Sequence, residues 1–276
     1  MLSTKWLWRS IGSAAVLSTL VCVFGFGYTV NQIMYPEPAP AALTGDEAAQ
    51  PAAKPKEEEA WAAKKQIRIV AIGDSLTAGT GDLAGKGYVG HVKDKLAQKL
   101  GKPVFVYNNF AIPGFRTYDL LKDWDAKRDI AKSLGEADLV LMTIGGNDLF
   151  EGGTGIFGEN SEGFNPQAAA DRIPEAVKRL GEILDRTSKA APNARILYVG
   201  LYHPFLDLDP EKAGAPVVQR WNTLAFEAAS KYANVTVVPT YDLFELNLNK
   251  YLYTDHFHPN AAGYERIAGR IVDVLD

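Results

Sequence analysis

The chain has 276 residues and a formal charge of −4, from 29 lysines and arginines against 33 aspartates and glutamates, a balance that excludes binding to nucleic acid or another polyanion through net charge. Hydrophobic residues make up 47% of it, enough to fill one sizeable core, so a single domain of about 200 residues is expected. The one cysteine, Cys22, lies near the N-terminus, which leaves the rest of the chain without disulfides, thiol nucleophiles or thiolate metal sites.

Residues 1–10 carry Lys5 and Arg9, and residues 11–30 form an uncharged run. At about 20 residues such a run is long enough to cross the hydrocarbon layer as a helix. The positive flank predicts a cytoplasmic N-terminus with the remainder outside the cell membrane. The run exceeds the about 7–15 apolar residues of a signal peptide, and Pro40 interrupts the one Ala-x-Ala triplet, Ala39 to Ala41; an uncleaved anchor is therefore expected, with secretion the outcome if it is cut. Residues 31–65 are dominated by Pro, Ala, Glu and Lys, with Pro36, Pro38, Pro40, Pro51 and Pro55 breaking any helix. They read as an extended, flexible linker.

From residue 66 to 276 short β-branched runs alternate with longer amphipathic stretches, the pattern of βαβ units and a mostly parallel sheet covered on both faces. Strands are expected at 67–72, 104–108, 139–143, 195–201 and 235–238. Helices are expected at 89–100, 118–134 with a break, 167–190 with Pro174 as a start or kink, 217–232 and 261–275. The class is α/β, a five-stranded doubly wound domain. Ligands of open parallel sheets bind beyond the carboxyl ends of the strands. Polar and glycine-rich segments fall there repeatedly: Gly73-Asp74-Ser75, Ile112-Pro113-Gly114, Gly145-Gly146-Asn147-Asp148, His203, and later Asp255-His256-Phe257-His258.

Ser75 stands where a buried strand stops, so its hydroxyl can project at the sheet edge; taken alone it equally suits a helix N-cap. A serine hydroxyl attacks a carbonyl poorly unless a base takes its proton and a carboxylate orients that base. Asp255 and His258 supply both from one turn, with His256 as the competing base and Pro259 opening the final helix. Gly114, Asn147 and the Ser75 backbone N–H are the candidate oxyanion donors. Asp74 and Asp148 are expected to hold loops by accepting backbone hydrogen bonds. The connection from Glu151 to Asn165 is long, and with Phe150, Phe157 and Phe164 it suits either a lid over an acyl chain or ordinary loop packing. Phe150, Phe157 and His203 are the candidate substrate-binding residues; His203-Pro204 and Asp207 suit either the lining of the pocket or a surface loop.

Four of these segments together resemble the SGNH or GDSL hydrolases. Gly73-Asp74-Ser75-Leu76 resembles the first motif of that family, Asn109 to Gly114 the second, Gly146-Asn147-Asp148 the third, and Asp255 to His258 with Pro259 the fifth. The order and separation of the four, over about residues 66–276, are far more specific than any one. The resemblance implies a flavodoxin-like three-layer α/β/α fold, with Ser75 as nucleophile, Gly114 and Asn147 as oxyanion donors, Asp255 as orienter and His258 as base. Residues 73–82 with Gly87-Tyr88-Val89 are most similar to lipase- or acylhydrolase-like members from Gram-positive bacteria.

The expected function is thus carboxylic ester hydrolysis through an acyl-enzyme, by a monomer needing no cofactor and no metal, on a small-molecule or lipid ester. Removal of O-acetyl groups from wall polysaccharide is the alternative substrate reading. A metal-dependent phosphoesterase using Asp74, Asn147, Asp148, His203, Asp255, His256 and His258 as ligands is a competing class. A catalytically silent surface binding module is another.

Overall fold

The computed structural model describes residues 8, 12–13, 15–26, 61, 63–126, 128–151 and 165–275. It divides into two units, Met1–Pro55 and Lys56–Asp276. In the first, residues 12–13 and 15–26 are helical and carry exposed apolar side chains, among them Val16, Leu17, Val21 and Phe24. Among the described residues no helix is long and apolar enough to cross a membrane. The expected span at 11–30 is described only in part, and most of the expected linker lies outside the described residues.

The second unit is an α/β domain. Its strands are β1 (Ile67–Gly73), β2 (Val104–Asn109), β3 (Leu139–Thr143), β4 (Arg195–Val199) and β5 (Val235–Val238). They form one sheet in the order β2-β1-β3-β4-β5, and every pairing is parallel. This is the flavodoxin-like strand order, whose switch point lies between β1 and β3. Ile67, Ile69, Val70, Ala71 and Ile72 are all fully buried, which explains why β1 reads as a continuous apolar run: a central parallel strand has core on both sides.

The helices divide between the two faces. On one face, α3 (Thr117–Ala126), α4 (Arg128–Gly135), α6 (Pro166–Ala190) and α7 (Ala215–Ala229) bury Leu120, Ile130, Leu180, Ile183 and Trp221 against Val70, Ile72, Val140 and Met142. On the other, α2 (Gly87–Leu100) and α10 (Ala261–Val274) bury Tyr88, Val92, Tyr264 and Ile267 against Ile69, Ala71 and Leu141. Short helices α1 (Ser75–Ala78), α5 (Gly146–Phe150), α8 (Tyr241–Glu245) and α9 (Leu248–Tyr251) complete the domain.

The expected elements are present with shifted ends. The stretch expected at 118–134 with a break is two helices, and α6 runs on through Pro174. The fourth strand stops at Val199 rather than residue 201. Its end has a cause: the Asn222 side chain accepts from the Leu201 N–H at 2.9 Å and donates to its carbonyl at 2.8 Å, taking the place of a strand neighbour.

Packed structure begins before residue 66. Trp61 is buried within the second core, with the Arg195 guanidinium over its ring at 5.9 Å. Lys102 Nζ donates to the Trp61 and Lys64 carbonyls, each at 2.9 Å, and Lys64 pairs with Asp138. Burying a side chain of this size contributes about 2 kcal/mol. A chain begun at Gln66 should therefore melt about 4–8 °C below one begun at Lys56. Equal melting temperatures in differential scanning calorimetry would show that the Trp61 contacts contribute nothing.

Candidate active site

Gly73 ends β1 with φ +134°, and a Cβ there would lie 1.9 Å from the Thr143 carbonyl oxygen of β3. Only glycine fits this close approach. The chain then turns, and Asp74 caps α1: its N–H donates to the Thr143 carbonyl at 3.1 Å while its Oδ1 accepts from the Leu76 N–H at 3.1 Å. Ser75 becomes the first residue of α1, at the carboxyl edge of the sheet and beside the switch point.

Asp255 and His258 arrive from the segment between α9 and α10. Asp255 Oδ1 accepts from the N–H groups of Phe257 and His258 at 3.0 and 2.9 Å, which closes the turn. Its Oδ2 lies 2.7 Å from His258 Nδ1, and His258 Nε2 lies 2.8 Å from Ser75 Oγ. An ionised carboxylate can only accept, so Nδ1 carries the proton and the bare Nε2 accepts from the serine hydroxyl. Burial acts to raise the Asp255 carboxyl, but hydrogen bonds from the His258 ring and the two backbone N–H groups outweigh it and hold the group below the ordinary carboxylate range. His256 points elsewhere: its Nδ1 lies 3.1 Å from Asp207 Oδ2. Of the two candidate bases, His258 is the one in contact with Ser75.

The candidate oxyanion donors Gly114 and Asn147 stand on neighbouring segments, the loop after β2 and α5. Phe110 N–H donates to the Ala71 carbonyl at 2.8 Å and Ile112 N–H to that of Gly73 at 3.0 Å, so the loop after β2 runs along the end of β1. In that loop Gly114 has φ +85°, with open space where a Cβ would stand. Asn147, on α5, donates one amide hydrogen to the Phe115 carbonyl at 2.8 Å, which fixes the amide next to Gly114 and leaves it a second hydrogen for a ligand.

Asp74 and Asp148 hold loops as expected. Asp148 accepts from the Thr117 N–H at 2.8 Å and the Thr117 hydroxyl at 2.6 Å. Sequence reading did not identify Asn109, Tyr202, Tyr264 or Arg179 as supports. The Asn109 amide donates to the Thr77 carbonyl at 3.0 Å, and the Tyr264 hydroxyl to that of Thr80 at 2.6 Å. The Tyr202 hydroxyl donates to the Phe257 carbonyl at 2.6 Å, within the Asp255–His258 turn. Arg179 Nε donates to the Thr117 hydroxyl at 2.8 Å. Each is a contact between residues far apart in the chain, and apart from Asn109, which opens the second motif, no local motif marks them.

Phe150 and His203 are buried in side-chain packing, which for Phe150 is the packing alternative rather than an open lid. Phe150 is 4% exposed and His203 2% exposed. The two rings stack at 6.4 Å, and Phe150 packs edge-on against Phe205 and Phe257. Phe257 in turn lies edge-on to His258, ring centroids 5.0 Å apart. His203 Nε2 is 2.9 Å from Asp209 Oδ2. These side chains pack behind the His258 ring and offer little surface to a ligand, because their size and apolar faces are better buried than exposed. Phe157 lies outside the described residues.

The polar groups that a phosphoesterase would gather around a metal are instead committed to separate partners. Asp74 binds Thr143, Asp148 binds Thr117, His203 binds Asp209, His256 binds Asp207 and His258 binds Asp255. Among the described residues no group of three or more His, Cys, Asp or Glu is arranged to hold a metal.

A doubly wound α/β domain with a hydroxyl, an imidazole and a carboxylate in series at its switch point has the form of a hydrolase. Residues 71–266 match the GDSL-like lipase/acylhydrolase family, and the chain belongs to that family of ester hydrolases. It is similar to the uncharacterized protein YpmR of Bacillus subtilis, 35% identical over 77% of this chain and 82% of that one. It also resembles the spore germination lipase LipC of Bacillus licheniformis, 25% identical over 74% of this chain and 94% of the other. The crystal structure of the lipase Lip_vut3 from a goat rumen metagenome shares the fold, with a TM-score of 0.64 at 23% identity, covering 75% of this chain and 96% of that one.

Burial pushes the Asp74 carboxyl up to about 6, against the opposing effect of hydrogen bonds from Thr143 and Leu76 and of the His258 charge. A folded value above the ordinary one means that this contribution to stability is complete below the ordinary 3.8 and is lost as pH rises through about 6. Asp74→Asn should therefore gain on wild type as the pH rises from about 4 to 7, by up to about 3 kcal/mol. Thermal melts across that range check it. A constant difference between the two proteins would mean that Asp74 does not titrate there.

Proposed function

We propose that this protein is a serine ester hydrolase that cleaves carboxylic esters through an acyl-enzyme, with Ser75, His258 and Asp255 as its catalytic triad. The observation that carries the reading is the unbroken series Ser75 Oγ to His258 Nε2 at 2.8 Å and His258 Nδ1 to Asp255 Oδ2 at 2.7 Å. His258 takes the serine proton as Oγ attacks the ester carbonyl, and Asp255 stabilises the imidazolium that forms. The N–H groups of Ser75 and Gly114 and the free hydrogen of the Asn147 amide receive the oxyanion. The imidazolium then gives its proton to the leaving alcohol. Water, deprotonated by the same ring, releases the acid.

The name of the LipC relative supports an acyl lipid as substrate. The domain acts outside the cell membrane in this reading, held there by the uncharged run at 11–30; the support is that run itself and the preceding Lys5 and Arg9.

Ser75→Ala should lower kcat for an activated short-chain ester by at least about 10³-fold, and Asp255→Asn by about 10²–10⁴-fold through loss of the correct tautomer. Both should leave the fold intact by circular dichroism. Near wild-type turnover of p-nitrophenyl butyrate by the Ser75→Ala variant would overturn the assignment. A series of esters of increasing acyl length then distinguishes a lipid acyl group from acetyl.

A further inference from the structure

Beneath the nucleophile lies a chain of buried hydroxyls that the acyl-transfer mechanism does not itself use. Thr143 Oγ1 is 2.6 Å from Asp74 Oδ1, Thr77 Oγ1 is 2.6 Å from Thr143 Oγ1, and the Tyr88 hydroxyl is 2.7 Å from Thr77 Oγ1. Asp74, Thr77, Tyr88 and Thr143 are each no more than 2% exposed.

The direction of every donation is fixed from one end. An ionised Asp74 can only accept, so the single Thr143 proton goes to it. Thr77 must then donate to Thr143, and Tyr88 to Thr77. The backbone closes the same network: Thr77 N–H donates to Thr143 Oγ1 and Thr143 N–H to Thr77 Oγ1, each at 3.1 Å. Each threonine oxygen thus makes one donation and two acceptances, its full capacity.

We propose that Tyr88, Thr77 and Thr143 form a one-way hydroxyl relay that holds the Asp74 carboxylate, and through it presents the Ser75 N–H and Oγ for acyl transfer, which makes Tyr88 a positioning residue of the active site.

The reason lies in the first turn of α1. The Leu76 N–H is taken by Asp74 and the Thr77 N–H by Thr143, so the network occupies the two donors that follow Ser75 and leaves the Ser75 N–H to face the oxyanion. Hydrogen bonds polarise one another along such a chain. The loss of its far end at Tyr88 is therefore felt at Asp74, two hydroxyls away. Protonation of Asp74 removes the acceptor that orders the relay, because a protonated carboxyl can donate to Thr143 and reverse each donation in turn.

The charged or titratable groups around Asp74 are few. His258, on the turn before α10, favours the ionised form and Asp148, on α5, opposes it. Arg179, on α6, is paired with Asp148 at 3.4 Å. Asp255 faces His258 from the same turn, while the hydroxyls of Tyr88 on α2, Tyr198 on β4, Tyr202 just beyond it, and Tyr264 on α10 are all pushed upward by burial and stay neutral.

The inference rests on the serine hydrolase reading, and the experiment separates the two. The full chain and its Tyr88→Phe, Thr143→Val and Thr143→Ser variants are assayed for p-nitrophenyl butyrate turnover and for inactivation by a fluorophosphonate, each across pH 5 to 9, with thermal melts alongside. Tyr88→Phe should lower kcat by about tenfold with KM within about twofold. It should also move the acidic limb of both profiles to higher pH, since Asp74 loses support for its ionised form. Thr143→Val should do the same more strongly, and Thr143→Ser, which keeps the hydroxyl, should restore the wild-type profile.

A folded Tyr88→Phe protein whose kcat and acidic limb match wild type, whatever its melting temperature, would overturn the relay and leave only a structural hydrogen bond. If Thr143→Val does not fold, the Tyr88→Phe profiles still decide. A folded wild-type protein inert to both ester and fluorophosphonate would remove the serine hydrolase reading, and the relay with it.

Discussion

At the end of the β1/β3 ladder Gly73 lies opposite Thr143, and the backbones approach so closely there that no side chain fits between them. The Thr143 carbonyl accepts from the Asp74 N–H, its hydroxyl donates to the Asp74 carboxylate and accepts from the Thr77 N–H. One residue of β3 therefore fixes three consecutive features of the turn that carries Ser75. The pairing is parallel and central, buried under helices on both faces, so the position of Ser75 is set by the most constrained part of the sheet. The strand order adds the opening: connections from β1 and β3 leave in opposite directions at the switch point, and the space between them is where Gly114 and Asn147 can approach Ser75.

The His258 imidazole reaches the same point by a different kind of support. Asp255 and His258 belong to a turn on the surface, closed by two backbone hydrogen bonds to Asp255 and by the pairing of Leu252 with Pro259. What keeps the imidazole from wandering is the packing behind it. Phe257 is clamped by the Tyr202 hydroxyl at its carbonyl and by Phe150 and Phe205 at its ring, and its edge-on contact then limits the His258 ring. The Ser75 turn, held by hydrogen bonds, thus meets a His258 ring held by apolar packing, and the Tyr264 hydroxyl on Thr80 joins α10 to the loop beside them.

Much of this was legible in the residues because strong local patterns coincide with strong structural constraints. The five strands are continuous β-branched runs since a parallel strand is buried on both faces, and the glycines and carboxylates at their ends mark the turns that buried strands require. Short helices such as Ser75–Ala78 and Gly146–Phe150 carry too few residues for a period to show. The end of β4 escaped because an asparagine side chain on α7 replaces the strand partner, a contact across 21 positions of sequence. His203 reads as a pocket candidate from its position after a strand and Phe150 from the long connection it opens, whereas the structure stacks the two rings together and buries Phe150 against Phe205 and Phe257. Composition made Trp61 part of a linker, although a single large aromatic among alanines and lysines was the one signal that the linker ends sooner.

Two carboxylates bear on one imidazole here, and their environments drive them apart. Asp255 is over a third exposed and accepts from two backbone N–H groups as well as from the ring, so it stays ionised over the whole range in which His258 would cycle in the proposed reaction. Asp74 is enclosed, and burial pushes it up to about 6. Environments that separate two carboxyls in this way let them take different duties. The exposed one can fix the tautomer of the base at any working pH, because its hydrogen-bond donors come with the turn. The buried one is held ionised near neutrality by the Leu76 N–H, the Thr143 hydroxyl and the His258 charge, so its state depends in part on the packing that aligns Tyr88, Thr77 and Thr143. A carboxylate of the second kind makes the geometry of the nucleophile turn depend on how well the two sides of the core are joined, since Tyr88 is anchored in one layer of helices and Thr143 in the sheet itself.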